Sequence, residues 1–83
     1  MDKKIMQAVL SGKQDRNVRF DDLRKLLLQL GFNERIIGGH FIYKKHRIPE
    51  RVNIQPDGSK AKAYQVRQIR GIINKYGLEE YND

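Results

Sequence analysis

The sequence has no cysteine and no tryptophan, and only two prolines in 83 residues. Without cysteine, disulfide staples and thiolate nucleophiles are excluded, and a zinc site would have to rest on histidine and carboxylate. Two histidines and scattered acids are poor material for one, so neither a metal nor any other cofactor is expected. No apolar run approaches the ~20 residues that span a bilayer, and no membrane partner is expected. Met1-Asp2-Lys3-Lys4 opens the chain without the long apolar core of a signal peptide, which makes the cytoplasm the expected location. Walker loops, nucleotide fingerprints, zinc motifs and nucleophile–base pairs are missing too. A chain of this length forms one domain, 1–83, near the lower limit for folding on a single core. A deep substrate cavity is therefore not expected.

Acid is the other scarcity. Seventeen Lys and Arg face ten Asp and Glu, a formal net charge of +7. Between His40 and Arg70 eight basic residues stand against only Glu50 and Asp57, a net of +6 for that segment. Most of the excess thus sits in the C-terminal half. A polyanion is the natural partner, nucleic acid ahead of an acidic protein or a membrane surface.

What is present reads as a short mixed domain. Ile5, Met6, Val9 and Leu10 mark one face of a helix over residues 3–11, which Gly12 would cap. Residues 13–17 are polar and aperiodic, a connecting loop. Val18 and Phe20 alternate with charged neighbours and suit a short docked extended piece. Leu23, Leu26, Leu27 and Leu30 form the stripe of a second helix, with Asp21 as the expected N-cap, Gly31 at its end and Phe32 packing back. Three strands are expected over Glu34–Ile37, His40–His46 and Arg51–Gln55, the last two joined by a hairpin turn at 47–50 containing Pro49. Pro56-Asp57-Gly58-Ser59 is a turn. Val66, Ile69, Ile72, Ile73 and Tyr76 give a final helix over 63–76, exposing Gln65, Arg67, Gln68 and Arg70. Residues 78–83 are expected to form a flexible tail. An α+β fold follows, a three-stranded antiparallel sheet with helices packed on one face, in the order α-α-β-β-β-α. The other face is left for a partner. In one register His40, Lys44 and His46 point there; in the other, Phe41 and Tyr43 do.

The stretch Ile36-Ile37-Gly38-Gly39-His40-Phe41-Ile42-Tyr43 is the place to look for chemistry. Gly38 and Gly39 permit backbone angles closed to other residues. They set His40 at the open end of a strand, where it is either an ordinary hydrogen-bonded edge residue or a general acid–base group. RNA makes one histidine chemically sufficient for part of a mechanism. Its 2′-hydroxyl is an internal nucleophile beside the scissile phosphate, so a base, a cation and a proton for the leaving 5′-oxygen complete the reaction. Lys44 is a candidate for the cation. Lys60 and Lys62, with the N-terminus of the last helix, could hold phosphate or form a solvated loop. His46 lies roughly 20 Å along a regular strand from His40, too far to share one phosphate.

With these pieces in order, the run from Arg19 to Leu78 resembles the HicA-type toxins of bacterial toxin–antitoxin pairs. The resemblance rests on Phe20-Asp21-Asp22-Leu23, Leu30-Gly31-Phe32, Ile37-Gly38-Gly39-His40-Phe41-Ile42, Asn53-Ile54-Gln55-Pro56 and Tyr64-Gln65-Val66-Arg67-Gln68-Ile69-Arg70. It implies a double-stranded-RNA-binding-domain-like fold and an mRNA interferase, a metal-independent endoribonuclease that blocks translation. It also implies a HicB-like antitoxin that covers the active site. The family's catalytic histidine maps on His40, preceded there by Gly-Ser, whereas this chain has Gly38-Gly39. Residues 1–17 are additional to the shortest members.

Overall fold

The computed structural model describes residues 3–80. Its elements are α1 (Lys3–Ser11), a 3₁₀ turn (Asp15–Asn17), α2 (Phe20–Gln29), β1 (Asn33–Ile37), β2 (His40–Lys45), β3 (Ile48–Ile54), β4 (Pro56–Asp57), β5 (Lys60–Ala61), α3 (Ala63–Tyr76) and a 3₁₀ turn (Leu78–Glu80). Strands β1, β2 and β3 form one antiparallel sheet with β2 in the middle, and β4 and β5 form a separate small ribbon. The fold is α+β, with a three-stranded antiparallel sheet and three helices.

The alternation of β2 decides which sheet face is covered. Tyr43 is fully buried and Phe41 half-buried, while His40 and Lys44 are exposed. Val52 and Ile54 of β3 are buried on the same side as Tyr43. Phe41 meets Phe20 of α2 edge to face, with ring centroids 4.9 Å apart, which places α2 on this side. Helix α3 joins it there, through Lys75 and Tyr76 on Glu50 of β3. The register with Phe41 and Tyr43 inward is therefore the one adopted. The leucine stripe of α2 fills the space between: Leu23, Leu26, Leu27 and Leu30 are all buried. Each contributes about 1.5–3 kcal/mol relative to exposure. Helix α1 packs on α2 and α3, burying Met6 and Val9.

Three ion-pair clusters tie the layers together. Arg24 of α2 grips Glu34 of β1 with two 3.1 Å hydrogen bonds, and the Tyr43 hydroxyl donates to the same carboxylate at 2.5 Å. Arg70 of α3 makes a second bidentate pair with Asp15, at 2.9 and 3.1 Å, and also reaches the Val9 carbonyl at 3.0 Å. Glu50 accepts from Lys75 at 3.0 Å and from the Tyr76 hydroxyl at 2.5 Å. Arg70 is thus a tertiary anchor rather than part of an outward basic field, and Gln65 is buried, not exposed. Gln65 keeps a partner by accepting the Lys62 N–H at 3.3 Å at the start of α3.

Several element ends differ from the sequence pattern. Helix α2 begins at Phe20 with Arg19 as its N-cap, so Asp21 lies inside the first turn and does not cap. The cause is tertiary: the Phe20 N–H bonds Ser59 and the Ala61 N–H bonds Val18, clamping 18–20 onto the β4–β5 ribbon. The helix ends as expected on Gly31, with the Phe32 N–H returning to Leu27 and the Gly31 N–H to Leu28. Strand β2 ends at Lys45, His46 and Arg47 make the turn, and β3 already begins at Ile48. Pro49 lies within β3, an edge strand, where its missing N–H costs no ladder bond on the outer side. A register shift between Tyr43 and Lys45 absorbs the surplus residues. At the C-terminal end, Leu78 is buried within the last 3₁₀ turn, and 81–83 of the expected tail lie outside the described residues.

Candidate functional site

The glycine pair forms the two-residue turn that joins β1 to β2, with Ile37 paired to His40. Gly38 takes φ +60, whereas Gly39 has no positive φ. Positive φ at the first turn position alone is the pattern of a type II′ hairpin turn, which matches the twist of the flanking strands. Only Gly38 is therefore conformationally required. A side chain at Gly39 would meet nothing within 4 Å, so a serine fits this backbone.

His40 is exposed on the open face of the sheet, and two residues of β3 and its C-terminal extension hold its ring. Nδ1 lies 3.3 Å from Asn53 Oδ1, and Gln55 Nε2 lies 3.1 Å from each ring nitrogen. The Asn53 oxygen can only accept, which favours a proton on Nδ1, whereas the Gln55 amide, equally near both nitrogens, can donate to whichever one is unprotonated. In the tautomer that donates to Asn53, Nε2 carries the lone pair and lies within reach of the Gln55 amide. This leaves Nε2 as the nitrogen able to take a proton from a bound molecule, once that molecule displaces the Gln55 donor.

The register fixes what surrounds this ring. Arg35 pairs with Ile42, and Ile42 pairs on its other side with Asn53. Since His40 is opposite Ile37, Arg35 is its diagonal neighbour, about 7–8 Å away. Lys44 shares the open face but lies four residues along β2 from His40, about 13 Å. Arg35 is thus the nearer cation. Lys60 is directed elsewhere, with Nζ donating to Asn17 at 2.9 Å, and ties the β4–β5 ribbon to the first 3₁₀ turn. Lys62 is the N-cap of α3; the Pro56–Ala61 register carried one step further sets it opposite Gln55. His46 sits exposed in the β2–β3 turn, off the strand that carries His40.

The structure thus gathers His40, Gly38, Gly39 and Lys44 on one sheet face and hairpin, with Lys62 beyond its end and Lys60 engaged apart. Arg35, Asn53 and Gln55 were not legible as site residues. Asn53 and Gln55 did carry a signal, since they alternate with Val52 and Ile54 on the side opposite the core. Opposite charge is confined to the covered side. Glu34 is held below the usual carboxylate range by its hydrogen bonds from Arg24 and then Tyr43. Burial, and then the hydrogen bond to Glu34, push the Tyr43 hydroxyl well above the ordinary phenol value. Among the described residues, no three His, Cys, Asp or Glu cluster as metal ligands, and no helix is long and apolar enough to cross a membrane. No family model, curated protein or solved structure matches this chain.

Proposed function

We propose that the protein is a metal-independent endoribonuclease in which His40 Nε2 is the general base. The observation that supports this most is the ring itself: exposed, contacted by Asn53 and Gln55, and set diagonally from Arg35 on the open face of the sheet. On this reading a ribose 2′-hydroxyl displaces the Gln55 amide and gives its proton to Nε2. The 2′-oxygen attacks the adjacent phosphorus, and Arg35 offsets the charge gathering on the phosphorane. The P–O5′ bond breaks, the departing oxygen takes a proton from solvent, and a 2′,3′-cyclic phosphate remains. The nucleophile belongs to the substrate, so no metal is needed to make one.

The HicA-like motifs extend the proposal. They favour a double-stranded-RNA-binding-domain-like fold, mRNA as the substrate in the cytoplasm, inhibition of translation as the outcome, and a HicB-like antitoxin as the partner that covers His40. One observation favours a non-catalytic RNA-binding module instead: the Gln55 amide already lies within hydrogen-bond distance of both ring nitrogens. Cleavage of a single-stranded RNA in chelator, by the native protein and by His40→Ala, separates the two. The expected result is cutting by the native protein alone, leaving cyclic phosphate ends, with the variant slower by about 10²–10⁴-fold. Equal cutting by both proteins would remove His40 from the mechanism. RNA binding without cutting by either would favour the module.

A further inference from the structure

Beside His40 the open sheet face carries a shallow groove of about 250 Å³ that runs away from the hairpin turn. Arg35, Lys44 and Arg51 stand around it, and Ile37 and Ile42 supply apolar walls. None of the three cations has an ion pair or a side-chain hydrogen bond among the described residues. Glu34 of β1 also borders the groove, but its carboxylate is turned to the helix side, where Arg24 offsets its charge and the Tyr43 hydroxyl donates to it. Unpaired cations gathered on one face are costly through mutual repulsion, unless an anion is shared among them. Ile37, 50% exposed, leaves a large apolar surface between the charges, which a purely solvated face does not need.

We propose that this groove is the path of a single RNA strand leaving the His40 site, with Arg35, Lys44 and Arg51 holding its phosphates. Ile37 and Ile42 meet the flat faces of the bases, which gives a contact tolerant of sequence. The proposal rests on the ribonuclease reading, because a strand whose 2′-hydroxyl reaches Nε2 must continue over adjacent surface. Of the surfaces adjoining His40, this one has matching charge. The path follows β1, β2 and β3 rather than the lysines before α3, since Lys60 is engaged by Asn17.

The test uses a short single-stranded RNA carrying one 2′-deoxy residue at the cleavage point, so that binding is read without cutting. Anisotropy titrations at several salt concentrations compare the native protein with Arg35→Gln/Lys44→Gln/Arg51→Gln. Arg67→Gln, an exposed change on α3, serves as the charge control, and circular dichroism confirms that each variant is folded. Losing three phosphate contacts lowers the slope of log affinity against log salt by about 2, which corresponds to roughly 50-fold weaker binding at 0.15 M salt. Arg67→Gln changes neither by much. The single variants, each expected to lose part of the slope, keep the test open should the triple variant unfold. A native protein that binds and cuts RNA while the groove variants bind unchanged overturns the groove and leaves the function standing. A native protein that neither binds nor cuts overturns both. Tighter binding of poly-glutamate than of RNA at equal charge overturns the groove in favour of an acidic protein.

Discussion

Glu34 offers the sharpest quantitative test of how this fold is held, because one carboxylate serves two partners of different burial. Tyr43 is directly opposite it in the sheet, fully buried, and donates its hydroxyl to Oε2. Arg24 donates to both carboxylate oxygens from a side chain that is 31% exposed. Tyr43→Phe removes one hydrogen bond to a charged acceptor, normally worth about 1.5–3 kcal/mol. Because Arg24 still holds the carboxylate, the loss belongs near the lower end, about 1.5 kcal/mol. Glu34→Ala does more. It strands a buried hydroxyl, at about 1–3 kcal/mol, and loses a partly exposed ion pair worth up to about 1 kcal/mol. Arg24 itself can turn to water, to Asp21 at 3.7 Å, or onto the Phe41 ring 4.7 Å away. The expected total is about 3 kcal/mol.

With an unfolding entropy of about 2.1 cal/mol/K per residue, these costs lower Tm by about 9 and about 17 °C respectively. The double variant decides the reasoning. Glu34→Ala/Tyr43→Phe has no stranded hydroxyl, so it should be no less stable than Glu34→Ala alone, a coupling of about 1.5 kcal/mol. Thermal and urea unfolding by circular dichroism measure all four proteins. Costs that simply add would refute the account. The pH dependence supplies a second check. Because the folded-state value of Glu34 is depressed, its stabilisation is complete above the ordinary carboxylate value of 4.5 and is lost as pH falls through the lower folded value. Glu34→Ala should therefore lose less stability than the native protein over that acid window.

Two further predictions concern the hairpin and the ring it presents. Gly38→Ala should lower stability by about 1–2 kcal/mol, since φ +60 disfavours a side chain even where space is open, whereas Gly39→Ser should be neutral or stabilising by a few tenths of a kcal/mol; equal Tm values for the two variants would contradict the type II′ turn. Asn53→Ala should reduce kcat for RNA cleavage by about 10- to 100-fold with little change in KM, because Asn53 orients His40 without reaching substrate; a matching rise in KM instead would make Asn53 a binding residue.

How far the sequence could be read depended on where each partner lies. The leucine stripe of α2 and the isoleucine stripe of α3 were legible because helical periodicity is local. The Gly38-Gly39 turn was legible for the same reason. By contrast, the start of α2 was misplaced because Phe20 is clamped by Ser59, a contact that no window around Asp21 contains. Pro49 suggested a turn at 47–50, yet an edge strand tolerates it, and the true turn at His46 and Arg47 has Arg47 at φ 72, a conformation that its residue type does not announce. At the site, His40 stood out beside the glycines. Arg35 did not, since its place beside the ring depends on the β1–β2 register. Lys60 looked available because Asn17, its acceptor, lies 43 residues away.

The same interactions that close the fold also arrange its charge. The three-stranded sheet contains two acids, Glu34 and Glu50, and both point to the helix side, where Arg24 and Lys75 hold them. Glu50, like Glu34, is kept below the usual carboxylate range, here by the Tyr76 hydroxyl and then Lys75. Of the sheet's four cations, Arg35, Lys44 and Arg51 face the other way. Anchoring a carboxylate under a helix therefore contributes twice: it fixes β1 and β3 to α2 and α3, and it leaves the open face with positive charge only. A net charge of +7 spread evenly would steer a polyanion to no particular surface. Three cations on the open sheet face, without a carboxylate partner among the described residues, would on the proposed reading steer it to the side that carries His40. The consequence separates stability from recognition. Glu34→Ala, assayed well below its lowered Tm, should keep the native salt slope for RNA, because the open-face cations remain in place. A slope that fell with Glu34 would mean that the register of β1, and not the charges alone, sets the RNA surface.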